Sequence, residues 1–126
     1  VQVQFLEGFM SYLFDVFETR GISGNVYRFE IFSKWQRFEK NISAVYAFLA
    51  QDEKNPYQLK ILYIGQSEDL DHRLTNHNKW SEAVKRGFSH LGVLRMSTSQ
   101  LDSIERDLVR FHEPELNEVL YQDPDS

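Results

Sequence analysis

No cysteine occurs among the 126 residues, so disulfides and thiolate metal sites are excluded and an intracellular, cytoplasmic setting is expected. No apolar run approaches the roughly 20 residues that a membrane-crossing helix requires, and no membrane partner is expected. The apolar stretch over residues 5–17 carries Glu7 and Asp15 and has neither a basic leader nor a small-residue cleavage site. It reads as part of the fold and not as a signal peptide. A basic excess is missing as well: 14 Lys and Arg face 19 Asp and Glu, for a net charge of −5. Residues 1–43 are neutral, residues 44–117 carry −2, and the tail adds −3 through Glu118, Asp123 and Asp125. Affinity for a polyanion through counterion release is therefore modest, and a nucleic-acid partner would have to be held by something besides bulk charge. There are no repeats, no low-complexity segments, and no zinc-finger or basic-helix motif of the kinds that read DNA.

What is present describes a folded mixed domain. Hydrophobic residues make up 41% and charged residues 26%, the balance of a globular chain and not of a disordered one. The length suits one domain that buries most of its apolar surface. Phe5, Leu6, Phe9, Met10, Leu13, Phe14 and Phe17 recur at three- and four-residue spacing, which predicts an amphipathic helix ended by Gly21 and Gly24. Val26, Arg28 and Glu30 then alternate with Tyr27, Phe29 and Ile31, which predicts a half-buried strand. The apolar runs 44–50 and 59–65, joined by a polar, Pro-containing loop, predict a hairpin with a long connection. Ser67 is expected to cap a helix whose first turn holds Glu68, Asp69 and Asp71, acids well placed against its dipole. A short helix over 79–86, a strand over 88–96 and a last helix from Thr98 or Ser99 to about His112, before Pro114, complete the pattern.

The fold expected is α+β, within the broad α/β class. It is a single domain with a small, mainly antiparallel sheet of three core strands, a fourth supplied by the N-terminal region, and flanking helices. Residues 1–43 form a helix-strand extension packed on the domain, 44–117 the domain itself and 118–126 an acidic tail. Seven of the ten phenylalanines precede residue 43. They either pack against the domain or present a surface for a homodimer or protein partner.

Several polar residues stand where chemistry is conceivable. Leu101, Ile104, Leu108 and Phe111 form an apolar stripe on the last helix, and Glu105 falls inside it, roughly 40° from Leu101 at about 100° per residue. A carboxylate there is at least partly buried and needs compensation, either from a metal ion or from an arginine. A lone carboxylate suits magnesium, which leaves its other positions to water and phosphate oxygens. Arg73 and His77 lie four residues apart on one predicted helix and so share a face. Arg73 can address a phosphate with a planar fork or form a surface ion pair. Tyr46 and Tyr63 are expected on adjacent strands, where tyrosines commonly serve the core.

Taken together these residues carry a resemblance. Ala44-Val45-Tyr46, Tyr63-Ile64-Gly65, the segment from Gln66 through Arg73 and Leu74, His77, Ser103-Ile104-Glu105 and Pro114-Glu115-Leu116-Asn117 follow one another in a pattern that resembles the GIY-YIG nuclease superfamily over residues 44–117. The resemblance implies a metal-dependent endonuclease acting on nucleic acid, with DNA expected. Tyr46 would be the general base, Tyr63 would position the nucleophile, Arg73 would contact the phosphate, and His77 would assist Tyr46. Glu105 would hold Mg²⁺, replaceable by Mn²⁺, and Asn117 would support the site. Gly65 and Gln66 would lie along the substrate. Ala44 replaces the first signature glycine, and Gln66 stands where some members carry Lys. An ordinary Tyr titrates near 10, so the general base would need a neighbouring cation or a relay through His77. A catalytically weak or inactive module of the same fold that binds nucleic acid or protein is the alternative, as is an obligate dimer built on the aromatic N-terminal half.

Overall fold

The computed structural model describes residues 15–117. Residues 5–14 of the predicted helix and the acidic tail from Glu118 lie outside the described residues. The elements follow in the order β1 (Val16–Arg20), β2 (Val26–Ser33), β3 (Ala44–Gln51), β4 (Leu59–Ser67), α1 (Leu70–Thr75), α2 (Trp80–Lys85), β5 (Phe88–Arg95) and α3 (Thr98–His112). The five strands form one sheet in the order β1-β2-β5-β3-β4, antiparallel throughout. The architecture is α+β. Among the described residues no helix is long and apolar enough to cross a membrane.

Two expectations at the N-terminal side are corrected. Phe17 does not end a helix: it lies in β1 and pairs with Phe29 across the β1–β2 hairpin. Val16-Phe17-Glu18-Thr19 alternates outward and inward, and a period of two with β-branched and aromatic residues favours the ladder over a helix there. Among the described residues the sheet therefore has five strands where three core strands and a fourth were expected. Gly24, at φ 91°, supplies the left-handed residue that the intervening turn needs.

β3 sits inside the sheet between β4 and β5, and its apolar run is continuous because both faces are covered. Ala44, Tyr46, Phe48 and Ala50 join a core with Leu70, Leu74, Ala83 and Phe88 on the side of α1 and α2. Val45, Ala47 and Leu49 join the opposite core with Leu101, Leu108 and Val109 of α3. The period of two distributes one strand between two layers. A bulge shifts the β3–β4 register between Phe48 and Leu49, so that Phe48 faces Tyr63 and Tyr46 faces Gly65.

Helix boundaries fall within two residues of expectation except at α1. The β3–β4 ladder runs on to the Ala44–Ser67 pair, so Ser67 belongs to the strand and Asp69 takes the N-cap position. Ser67 Oγ instead accepts the Asp69 N–H at 3.0 Å. At the far end Glu113 adopts the left-handed conformation, φ 45°, which stops α3 and turns the chain back along β4. There Leu116 N–H donates to Leu62 O at 3.1 Å.

Candidate active site

Tyr46 is fully buried, at 0% exposure, yet its hydroxyl is the meeting point of the candidate residues. The absence of a side chain at Gly65 makes room for it. A Cβ on Gly65 would stand 2.5 Å from Tyr46 Oη and 2.8 Å from the Tyr63 ring. The two tyrosine rings lie 6.2 Å apart, and the His77 imidazole meets both edge-on, at 5.7 Å from Tyr46 and 5.0 Å from Tyr63. Gly65 thus serves the site as space for Tyr46.

His77 is not on the helix that carries Arg73. α1 ends at Thr75 with Asn76 as its C-cap, so His77 occupies the following loop and reaches the tyrosines from there. The chain turns at Asn76, whose N–H returns to Arg73 O. His77 is 8% exposed, and both ring nitrogens are engaged. The backbone N–H of Lys79 donates to Nδ1 at 3.0 Å, and Nε2 lies 2.7 Å from Tyr46 Oη. A backbone amide can only donate, so Nδ1 is the acceptor and the neutral ring carries its proton on Nε2. His77 therefore donates to the phenol oxygen. Burial, with Arg73 and Lys79 nearby, lowers the His77 pKa to about 4, so this neutral tautomer is the form present at pH 7. A relay in which neutral His77 withdraws the Tyr46 proton is incompatible with this arrangement.

Burial likewise pushes the Tyr46 hydroxyl far above its ordinary range, with Tyr63 and Glu105 adding to the rise. The Arg73 guanidinium opposes them by charge and by hydrogen bonding. For Arg73 itself, burial acts against the charged form, and the Tyr46 and Tyr63 hydroxyls beside it more than offset that. The structure thus gathers Tyr46, Tyr63, Arg73 and His77 into one cluster.

Glu105 comes to the site from the other layer. It is 4% exposed within the buried stripe of α3 that also holds Leu101, Leu108 and Val109. Gln66 Nε2 donates to Glu105 Oε1 at 2.7 Å and to Asp102 Oδ1 at 3.3 Å. Gln66 therefore spends its amide protons on two carboxylates, as a neutral donor. Among the described residues no group of three or more His, Cys, Asp or Glu is placed to hold a metal. The donor chemistry of Glu105 nonetheless fits Mg²⁺, a cation that accepts a hard carboxylate oxygen and needs few protein ligands. Asn117 acts on the backbone. Its Nδ2 donates to Ile64 O at 2.8 Å and its Oδ1 accepts Ile64 N–H at 3.0 Å. It clamps the residue between Tyr63 and Gly65.

Two contributors have little or no sequence signal. The Lys79 amide fixes the His77 tautomer through a main-chain atom, to which residue identity is blind. Phe48, whose ring centroid lies 4.7 Å from the imidazole, is one more apolar residue in an apolar run. Its spacing of two from Tyr46 was the available hint. Comparison of the chain with protein-family models, with curated proteins and with solved structures gives no match.

Proposed function

We propose that the chain is a metal-dependent endonuclease of the GIY-YIG type, hydrolysing phosphodiester bonds in nucleic acid, with DNA the expected substrate. The observation that carries this reading is the Tyr46 hydroxyl, held by His77 at 2.7 Å and flanked by Arg73 and Tyr63. Two donors on a phenol oxygen favour the phenolate, against the burial that holds Tyr46 protonated at rest. In the ionised fraction Tyr46 takes a proton from the attacking water, and the His77 Nε2–H and Arg73 stabilise the phenolate. Arg73 also addresses the phosphate as charge builds on it, with a planar fork suited to two oxygens. Tyr63 orients groups by hydrogen bonding, and Asn117 positions the strand that carries Tyr63 and Gly65. Glu105, with Asp102 gathered on the same Gln66 donor, would hold Mg²⁺ or Mn²⁺. When bound, that ion supplies positive charge to the phosphate and the leaving oxygen.

A panel of labelled plasmid, duplex, single-stranded and branched DNA and RNA, incubated with Mg²⁺, Mn²⁺ or EDTA beside Glu105→Gln, tests the proposal. Metal-dependent cutting that disappears in the variant is expected. The substituted Gln can still accept the Gln66 bond, so the melting temperature should hold. Full activity in Glu105→Gln would remove Glu105 from the mechanism. A non-cutting binding module is the second reading, favoured by the protonated state of Tyr46 and the net charge of −5. Absence of cutting on every substrate would select it.

A further inference from the structure

A cleft of about 550 Å³ opens beside the tyrosine cluster, between the segment after β2 and helices α1 and α2. Lys34, Trp35, Arg37, Asn76, His77 and Trp80 are among the residues lining it. His77 belongs to both places, since it lines the cleft and bonds Tyr46. Trp35 and Trp80 are the two tryptophans of the chain. Trp80 packs on Phe48 and Phe88, but Trp35 is 69% exposed. Burial would have removed a large apolar surface from water, and here it remains in solvent.

We propose that this cleft is a base-stacking subsite that receives an unpaired nucleotide of the strand being cut. The inference deepens the endonuclease reading and rests on it. The two indoles lean together, with centroids 5.8 Å apart and planes at 51°. No base fits between them, so it stacks on the part of the Trp35 ring that the cleft leaves exposed. Lys34 stays near that ring, its Nζ 5.5 Å from the centroid, because it donates to Phe88 O at 3.0 Å. Arg37 is fixed by Asp71 at 2.6 Å. Among the described residues the charged ones lining the cleft are Lys34, Arg37 and Asp71, an excess of one positive charge there on a chain that carries −5. This is the composition of a single-strand site: a locally positive wall to follow the backbone, and an aromatic face that accepts any base. Inside a duplex the bases stay stacked on one another and offer no free face to Trp35. The cleft therefore selects substrates with an unpaired segment next to the scissile phosphate. It also supplies the affinity that net charge denies this chain.

The test titrates the full chain in EDTA with a short oligothymidylate and with a blunt mixed-sequence duplex. Tryptophan emission and the anisotropy of labelled strands are read together. The single strand is expected to quench emission and the duplex to leave it unchanged. Trp35→Ala should weaken single-strand binding about tenfold, as for loss of one base stack, and Trp35→Phe should retain most of the affinity. The exposure of Trp35 makes both variants foldable, which thermal melts would verify. Quenching with no cutting when Mg²⁺ is restored supports the subsite and overturns the nuclease reading alone. Cutting with unquenched emission and an unaltered KM in Trp35→Ala overturns the subsite alone. Equal quenching by the duplex, or binding of neither probe, also overturns it.

Discussion

A single methyl group decides much of the site. At Gly65 it would enter the space of the Tyr46 hydroxyl, 2.5 Å away, and neither the buried phenol nor the strand can yield cheaply. Gly65→Ala should lower stability by about 1–3 kcal/mol, as overpacking does, and suppress cleavage; denaturant midpoints and turnover check the two arms. Tyr46 makes a second prediction. Because burial holds it protonated and it acts as the phenolate, the cleavage rate should climb about tenfold per pH unit between roughly pH 6 and 9. A rate already level at neutral pH would count against Tyr46 as the base. His77 gives a third, in stability. Its folded pKa is about 4 against an ordinary 6.5, so between these values the unfolded chain takes up a proton that the folded chain refuses. The stability that neutral His77 contributes is complete above pH 6.5 and is lost as pH falls toward 4. His77→Phe should flatten this part of a denaturant-midpoint profile.

At the scale of elements, two side chains tie distant segments together. Asp107 on α3 accepts from Ser23 N at 2.8 Å, Ser23 Oγ at 2.7 Å and Tyr27 Oη at 2.6 Å, which fastens the β1–β2 hairpin to the helix. Asp107→Ala should speed hydrogen exchange in β1 and β2 while leaving β3 and β4 protected. Asn117 does the same service for β4, the edge strand, by occupying both backbone groups of Ile64. Its replacement by Ala leaves those groups to water and should cost about 1–3 kcal/mol. The strands β2 to β5 and the helices α2 and α3 were legible in the sequence because periodicity and turn residues write them locally. β1 was not, since five residues beside an apolar run carry too little pattern to outweigh it. Glu105 was legible as a buried carboxylate because the stripe of α3 fixes its direction. The departure of His77 from α1 was not, because the helix ends at Asn76 without a glycine or proline to announce it. The pairing of Gln66 with Glu105 depends on how two layers meet, which no spacing along the chain encodes.

On the scale of the whole molecule, charge and shape pull in different directions. A net charge of −5 repels a polyanion, whereas Arg73 and the cleft beside it attract one locally. Binding should therefore depend weakly on salt, with a slope of log K on log salt of about −1 to −2, as for one or two neutralised phosphates. Anisotropy measured across a salt series reads this directly, and a steep slope would point to a larger basic footprint than the described residues offer. The packing around Tyr46 has one more outcome. The Nε2 proton of His77 is held on the Tyr46 oxygen among aromatic neighbours, and the low His77 pKa keeps the ring neutral near pH 7. It should give a slowly exchanging imidazole resonance in the proton NMR spectrum, its position constant from about pH 6 to 8. Any ligand that reaches Tyr46 would move that one line before it moved anything else, so the molecule carries a built-in gauge of its own occupancy.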